Sequence, residues 1–372
     1  MRTVLISGAS IAGPTLAYWL NHAGFQATVV ERAPAPRPGG QAIDVRGPAL
    51  TVLGEMGLLD RTRAMRTQLK GMTRLNIDGQ EIARHEDRTF TGGRFDSGDI
   101  EILRDDLAGL VLEASQAAEY IFDDTITALE QDDTKVSVTF QHHPPRAFDL
   151  VIGADGLHSS VRQLVFGDER PFLVPLGMGL AIYTTPNLLG LQDWQLAFRD
   201  PTSAYVIYPA RNNTELRVNL GFRMSLDEHH RGDVAAQKAL VAERCARLGG
   251  DVARLLTLLP DSEDFYFGPL AQVRMSRWSK GRISLAGDAG YCPSPFSGQG
   301  TSLALVGAFV LGRELAREGG DYSQAFARYE ERMRPFVLMN QEMVSIERRG
   351  PPPDDVFDHA KNGIVIDDLL PS

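Results

Sequence analysis

Apolar positions in this chain fall into two patterns that alternate along its first third: short β-branched runs that end in glycine, and helical stripes that begin just beyond them. Thr3 to Ile6 is such a run, followed by Gly8-Ala9-Ser10-Ile11-Ala12-Gly13 and a helical pattern through Leu16, Ala17 and Leu20. After Gly24 a second strand is expected from Ala27 to Val30, closing in Glu31. Pro34 to Gly40 is too rich in proline and glycine to be other than loop. Gln41 to Gly47 then reads as a strand that delivers Asp44 and Arg46 to its end, and Ala49 to Leu59 as a helix stopped near Gly57. Asp78-Gly79 marks a hairpin between Leu75 and Arg84. Ile100 to Leu103 is a strand that gives way to a helix at Asp105, with Arg104 at the junction. Two further strands, near Ile126 to Leu129 and Val136 to Phe140, flank the turn Gln131-Asp132-Asp133, and a buried strand from Phe148 ends at Asp155-Gly156.

The pattern changes from about Pro171 to Met275. Gly179 to Thr185, Trp194 to Arg199, Ala204 to Tyr208 and Leu216 to Phe222 alternate bulky residues with period two, which predicts a mostly antiparallel inserted sheet. His229 to Leu248 and Asp251 to Leu259 read as helices. The first pattern then returns: a short apolar strand ends at Gly287, and the chain continues through Asp288, Pro293, Pro295, Gly298, Gln299 and Gly300 into the apolar run Thr301 to Leu315. A longer helix follows from about Tyr322 to Ile346, stopped by Gly350-Pro351-Pro352-Pro353, and the last residues read as a loosely attached tail.

Composition narrows the function. With 372 residues there is room for one large or two ordinary domains. A net charge of -10 argues against nucleic acid and anionic membranes as partners, since both call for basic patches. Only Cys245 and Cys292 are present, so neither a disulfide framework nor a thiolate metal site is expected, and cytoplasmic residence is the default. The paired histidines, His142-His143 and His229-His230, lack carboxylates at ligand spacing, and no metal is expected. No stretch has the uninterrupted apolar length of a membrane span.

Three stretches carry candidate chemistry. Gly8 to Gly13 with Glu31 has the spacing of a dinucleotide turn: pyrophosphate sits on the helix N-terminus and an acid about twenty residues on takes a ribose hydroxyl. Ser10 stands where the middle glycine is usual and is small enough to let a phosphate approach, while Arg32 is a solvated charge unless it covers an adenine face. Asp155-Gly156 with Ser159 and Arg162 ends a second buried strand, although an Asp-Gly turn with a helix cap at Ser159 would explain part of that run. Gly287-Asp288 with the loop Pro295, Gly298, Gln299, Gly300 places a carboxylate at the carboxyl end of a strand, where ligands of open α/β sheets sit. Its glycines let the backbone approach a ligand ahead of a helix N-terminus that favours negative charge. Arg104 could reach a phosphate or flavin edge, or pair with a neighbouring acid.

In this order and spacing, the three stretches resemble the class A flavin monooxygenases, relatives of para-hydroxybenzoate hydroxylase, over nearly the whole chain. Arg104-Asp105-Asp106-Leu107 fits that family's arginine near the flavin, and the length and the Gly40 to Gly47 segment look most like its tetracycline-inactivating branch. The resemblance implies an α/β fold: a discontinuous Rossmann-like FAD-binding domain over residues 1–170 and 276–320, with part of the substrate layer near 72–100. It further implies an inserted, mostly antiparallel substrate domain over 171–275, a long helix over 321–350 and a tail over 351–372. FAD would lie on the Gly8 to Gly13 turn (Gly8, Ser10, Ile11, Ala12, Gly13), on Glu31 and Arg32, on Arg46 and Arg104, on Asp155 and Gly156, on Gly287 and Asp288, and against Pro295, Gly298, Gln299 and Gly300. NADPH or NADH would reduce FAD, O₂ would add to give a C4a-hydroperoxide, and an oxygen would pass to an aromatic or polyketide-like small molecule. From the inserted sheet, Tyr183, Phe198, Tyr208, Phe222 and Met224 are the candidate substrate wall; no catalytic base is singled out. Departures from the family pattern are Gly290 and Tyr291 after the aspartate, and Thr301 and Ser302 after Gly300. They keep two other readings open, an FAD-dependent reductase without oxygen insertion and a non-catalytic flavin- or ligand-binding protein. A halogenase is disfavoured, because Trp19, Trp194 and Trp278 form no Trp-x-Trp pair, and a monomer is expected.

Overall fold

The computed structural model describes residues 2–317, 321–345 and 353–370. Its centre is a six-stranded sheet in which five short runs lie parallel. Thr3–Ser7 pairs on one side with Gln26–Glu31 and on the other with Leu150–Gly153; Glu119–Phe122 and Ile283–Leu285 extend the sheet outward, and Ser279–Lys280 closes one edge antiparallel. The central strands of this sheet are almost wholly buried, which is why they run as near-continuous apolar stretches. All the connections between the parallel strands leave from the same edge. The glycines that end three of the strands therefore meet at one end of the sheet.

A seven-stranded sheet forms the second layer, in the order Tyr266–Val273, Leu173–Pro186, Glu215–Arg223, Ser203–Ala210, Gln195–Arg199, Met72–Leu75, Glu81–His85. All its pairings are antiparallel except Gln195–Arg199 with Met72–Leu75. The Asp78-Gly79 hairpin thus joins the inserted sheet at its edge. A small third sheet, Ile126–Gln131, Val136–Phe140 and Arg146–Phe148, packs into the same apolar core as the parallel sheet.

Several helices are shorter than their sequence pattern. The one expected over Ala49 to Leu59 breaks at Gly57, whose φ is +69°, into Pro48–Glu55 and Leu59–Ala64. The helix expected from His229 begins at Val234, capped by the Asp233 side chain, after a separate turn at Leu226–His229. Tyr322–Glu342 ends before Ile346, which with Gly350, Pro351 and Pro352 lies outside the described residues. The segment expected as a loosely attached tail instead forms the helix Asp354–Lys361. It docks where Asn340 donates to the Ala360 carbonyl at 3.0 Å, and the following turn is held where Arg332 and Arg317 grip Asp368.

The long helix Gly300–Arg317 packs between Ala12–His22 and Tyr322–Glu342. Close approach is made possible by small residues: a Cβ on Gly312 would meet the Trp19 Cβ at 2.7 Å, and one on Gly307 would meet the Tyr291 hydroxyl at 2.0 Å. Gly312→Leu should therefore overpack this contact and lower stability by about 1–3 kcal/mol. The check is a urea midpoint that falls at constant slope; an unchanged midpoint would show that the contact yields freely.

Candidate functional site

The three glycine-ended stretches touch one another. A Cβ on Gly8, whose φ is +106°, would lie 2.4 Å from the Ala154 carbonyl, so the first turn fits directly against the residue before Asp155. A Cβ on Gly13 would lie 1.9 Å from the Gly8 carbonyl, which keeps the turn tight and brings the helix Ala12–His22 onto the strand. Gly287, at φ +61°, packs its Cα against Ala12, a Cβ there lying 3.2 Å from the Ala12 Cβ. Neither Gly8 nor Gly287 tolerates a side chain, because space and the left-handed backbone both forbid it. Ser10 is exposed at the lip of this turn, while Ile11, Ala12 and Gly13 are buried behind it. The first-turn N–H groups of Ala12–His22 face the hollow so formed.

Arg162 joins the second stretch to the third. Its guanidinium, fully buried, donates to the carbonyls of Ala289 at 2.9 Å and Leu157 at 2.6 Å, and pairs with Glu169 at 3.2 Å. Burial pulls its pKa down, against the pull of Glu169 and Asp155. On the same helix Ser159 caps: its hydroxyl accepts from Arg162 N–H at 2.9 Å and donates to Asp155. The other Asp155 oxygen accepts from Val161 N–H at 3.1 Å. The capping reading of this run and the ligand reading therefore both hold parts of it, since Asp155 is tied to the helix while Gly156 is left half-buried at the rim with φ +83°.

Asp288 lies where a ligand would end. More than a third of its surface is open, yet desolvation raises its carboxyl pKa, with a hydrogen bond from Cys292 opposing. Asp288 is thus open at its surface while protein crowds its carboxyl group. Gly300 stands opposite, its Cβ direction 4.0 Å from Asp288 Oδ1. Between them the loop turns on Ser294, held at φ +76° and ψ 148°, a conformation other than glycine adopts only under strain. Pro295 and Phe296 are exposed, Gly298 adopts a left-handed conformation, and Gln299 is fully buried with neither amide atom hydrogen-bonded. A buried amide without partners costs about 1–3 kcal/mol per unmade bond, so this loop is built around something it does not itself contain.

The remaining predicted contacts spread around the recess. Glu31 accepts from Ala9 N–H and Ala33 N–H, both at 2.9 Å, binding the end of its strand to the glycine turn, while Arg32 is exposed. Arg46 is buried beside Asp44 at 2.8 Å, with its backbone N–H on the Ser302 hydroxyl. Arg104 is buried and donates to the carbonyls of Arg37 and Gly39 at 2.6 and 2.8 Å, holding the proline-rich loop; burial with Arg37 and Arg217 nearby pushes its pKa down to about 10. Nε of Arg46 and of Arg104 has no partner. Tyr291, one of the departures, turns away from the recess, its hydroxyl 2.8 Å from that of Tyr329 and its ring against Trp278.

The expected substrate wall is split between two faces of its sheet. Tyr183, Phe198, Phe222 and Met224 belong to the apolar core between the sheet and the helices Val234–Cys245 and Gly250–Leu256. Only Tyr208 points the other way, where its hydroxyl accepts from Ala42 N–H at 2.6 Å. Bulk was the wrong guide: with period two, the large apolar residues fill the helix-covered face, and their neighbours look toward the parallel sheet. Several of those neighbours are polar. Arg217 pairs with Glu215 at 2.9 Å, Asn219 donates to the Val206 carbonyl at 3.1 Å, and Gln195 accepts from Phe90 N–H at 2.6 Å. Sequence reasoning passed over them because an interior arginine or glutamine in a strand reads as an exposed alternate. An open hollow of about 620 Å³ lined by Pro175, Leu176, Gly177, Arg223 and Met224 includes none of the turn or clamp residues.

Residues 1–342 match the family described as FAD binding domain. The chain belongs to that family of flavin-dependent enzymes. It is 48% identical to an uncharacterized protein of Mycobacterium tuberculosis over 99% of this chain and 100% of the other. To a flavin-dependent monooxygenase of Legionella longbeachae it is 37% identical, over 91% of this chain and 87% of that one. Superposed on the crystal structure of tetracycline destructase Tet(51) it gives a TM-score of 0.89 at 33% identity, covering 100% of this chain and 99% of the other. Among the described residues no helix is long and apolar enough to cross a membrane.

FAD fits these residues. The recess has a phosphate-sized turn at one end and, at the other, a strained loop with an unpartnered amide, bridged by a desolvated carboxylate. Arg162 holds that geometry, so Arg162→Met should leave the Ala289 and Leu157 carbonyls unpaired and cost about 3 kcal/mol or more. Chemical denaturation would show it; full stability in the variant would mean the two loops stand without the guanidinium.

Proposed function

We propose that the protein is an FAD-dependent monooxygenase that uses NADPH or NADH and O₂ to hydroxylate an aromatic or polyketide-like small molecule. The observation that carries this reading is the fully buried, unpartnered Gln299 amide in a loop that faces Asp288 across the recess. The names of the relatives, a flavin-dependent monooxygenase and a tetracycline destructase, support it.

On this reading the Gly8 to Gly13 turn takes the pyrophosphate on free N–H groups, and Glu31 turns its remaining lone pairs to the adenosine ribose. Asp288 accepts from hydroxyls of the ribityl chain, with Arg104 and the Asp155-Gly156 corner alongside. Pro295, Gly298, Gln299 and Gly300 lie against the isoalloxazine, where the N-terminus of Gly300–Arg317 favours negative charge. Bound FAD supplies the redox chemistry, accepting a hydride from NAD(P)H and activating O₂. The protein's own share is to orient the substrate and keep water out. Arg217, on the sheet face away from the helices with its Nε unpartnered, offers a hydrogen bond to the carbonyl or hydroxyl edge of a polyketide, and the exposed Phe296 ring offers an apolar contact. The same reading has the enzyme acting as a monomer in the cytoplasm, where both buried cysteines stay free.

Purified protein should be yellow and should oxidise NAD(P)H faster when a phenolic or polyketide ligand is added; colourless protein that takes up no FAD would sink the proposal. Asp288→Ala should weaken FAD retention roughly tenfold or more, the loss of a hydrogen bond to a charged group, and Glu31→Ala should weaken it less. The flavin-to-protein ratio after gel filtration reads both. An unchanged ratio in Asp288→Ala would contradict the assignment.

A further inference from the structure

A second set of charges is buried beside the clamp loop, and the binding roles above do not use all of it. Asp44 and Arg46 stand at the end of the strand Ala42–Val45, 7% and 4% exposed. Behind them Asp99 lies 3.8 Å from Arg46 and 3.2 Å from Lys361. Glu101 accepts from the hydroxyls of Thr67 and Thr91. Lys361 belongs to the closing helix, where it also pairs with Asp358 at 3.0 Å; the Phe357 ring of that helix lies 4.7 Å from the Arg46 guanidinium. Two cations, Arg46 and Lys361, thus face three carboxylates, Asp44, Asp99 and Glu101, while Asp358 is largely in solvent. An unbalanced charge in such a place is costly, and a proton on one carboxyl removes it.

Asp44 is the carboxyl placed to take that proton. Both Glu101 oxygens already accept from hydroxyls, which favour its ionised form even as burial raises its pKa. Asp44 Oδ1 has no partner at all. Burial first, then the neighbouring Glu101 and Asp99, push Asp44 up to about 7 against the opposing pull of Arg46. The pair also touches the clamp: a Cβ on Gly298 would lie 3.9 Å from Asp44 Oδ2 and 3.8 Å from Arg46 Nη2. Through its backbone N–H on Ser302, Arg46 is joined to the first turn of the helix behind that loop.

We propose that Asp44 is a positioning residue for the flavin end of the site, which takes up a proton and thereby frees the charge of Arg46 to face a reduced, negatively charged isoalloxazine on the clamp loop. This rests on the FAD reading above and extends it to the reduced state. Two electrons and one proton convert FAD to its reduced anion; a second proton, from solvent, converts the Asp44 carboxylate to the acid. The Asp44–Arg46 pair then goes from neutral to +1 as the isoalloxazine goes from neutral to -1, and the two changes offset each other. A negative charge arriving beside Asp44 raises its pKa further. The extra uptake therefore occurs at and above about pH 7, and fades well below it, where Asp44 already holds its proton.

The test is the midpoint potential of the FAD-loaded protein as a function of pH. Between about pH 7 and 8.5 the wild type should take up one more proton per two electrons than Asp44→Asn, and Asp44→Glu should keep that extra proton. Lys361→Met removes a cation from the cluster without touching the clamp, and should move the window of extra uptake to higher pH. Superimposable lines for wild type and Asp44→Asn would overturn the proposal; if Asp44→Asn fails to hold FAD, an unmoved window in Lys361→Met overturns it instead. Wild-type protein that binds no FAD would contradict the FAD reading itself, a result separate from either of these.

Discussion

The buried Arg162 guanidinium is the interaction on which the site depends. The parallel sheet brings three glycine-ended strands to one edge, but a shared edge does not fix how their loops lean. Arg162 does so by donating to a carbonyl on each side, Leu157 in the loop after one strand and Ala289 in the short helix after another. With those two loops locked, Gly8 seats against Ala154 and Gly287 against Ala12, and Asp288 is left facing Gly300 across a recess. A guanidinium suits this task because its donors point in fixed directions and it stays charged when buried. Flexible surface ion pairs, plentiful elsewhere in this protein, could not hold loops to such tolerance.

Around that lock the clamp loop and the strands beside it carry strain and several unmet hydrogen bonds. Ser294 sits in a backbone region that suits glycine, Gln299 has an idle buried amide, and Asp44, Arg46 and Arg104 each have one idle polar atom. On the helix-packed side of the inserted sheet, by contrast, the apolar core includes one unpaired polar atom among the described residues, the Tyr183 hydroxyl. The idle Gln299 amide and the Asp44, Arg46 and Arg104 atoms beside the clamp loop suit a polar occupant there.

Much of this was legible in the sequence, for a physical reason in each case. The parallel strands announce themselves because they are buried on both faces and end in glycines that no other residue can replace, as at Gly8 and Gly287. Asp44 and Arg46 were readable as a pair delivered to a strand end because period two puts residues i and i+2 on one face. The substrate wall was not readable. Tyr183, Phe198, Phe222 and Met224 have the right chemistry for an aromatic pocket but the wrong parity, and parity relative to a distant helix pair is a tertiary fact. Arg162 was seen only as part of a motif, since its partners lie 5 and 127 residues away. The closing helix was missed because its anchors, Asn340 to Ala360 and Arg332 to Asp368, are few, and a short polar segment after a proline run shows no continuous stripe.

The central claim is that this recess holds a flavin that delivers oxygen to a small molecule. The most direct measurement is the mass of the product formed when the FAD-loaded protein turns over with NAD(P)H and a responsive phenolic or polyketide ligand under isotopically labelled O₂. Incorporation of one labelled oxygen atom per NAD(P)H consumed is the result predicted. Turnover of NAD(P)H with a converted ligand that carries no label would contradict the claim and make the protein a flavin reductase on the same fold.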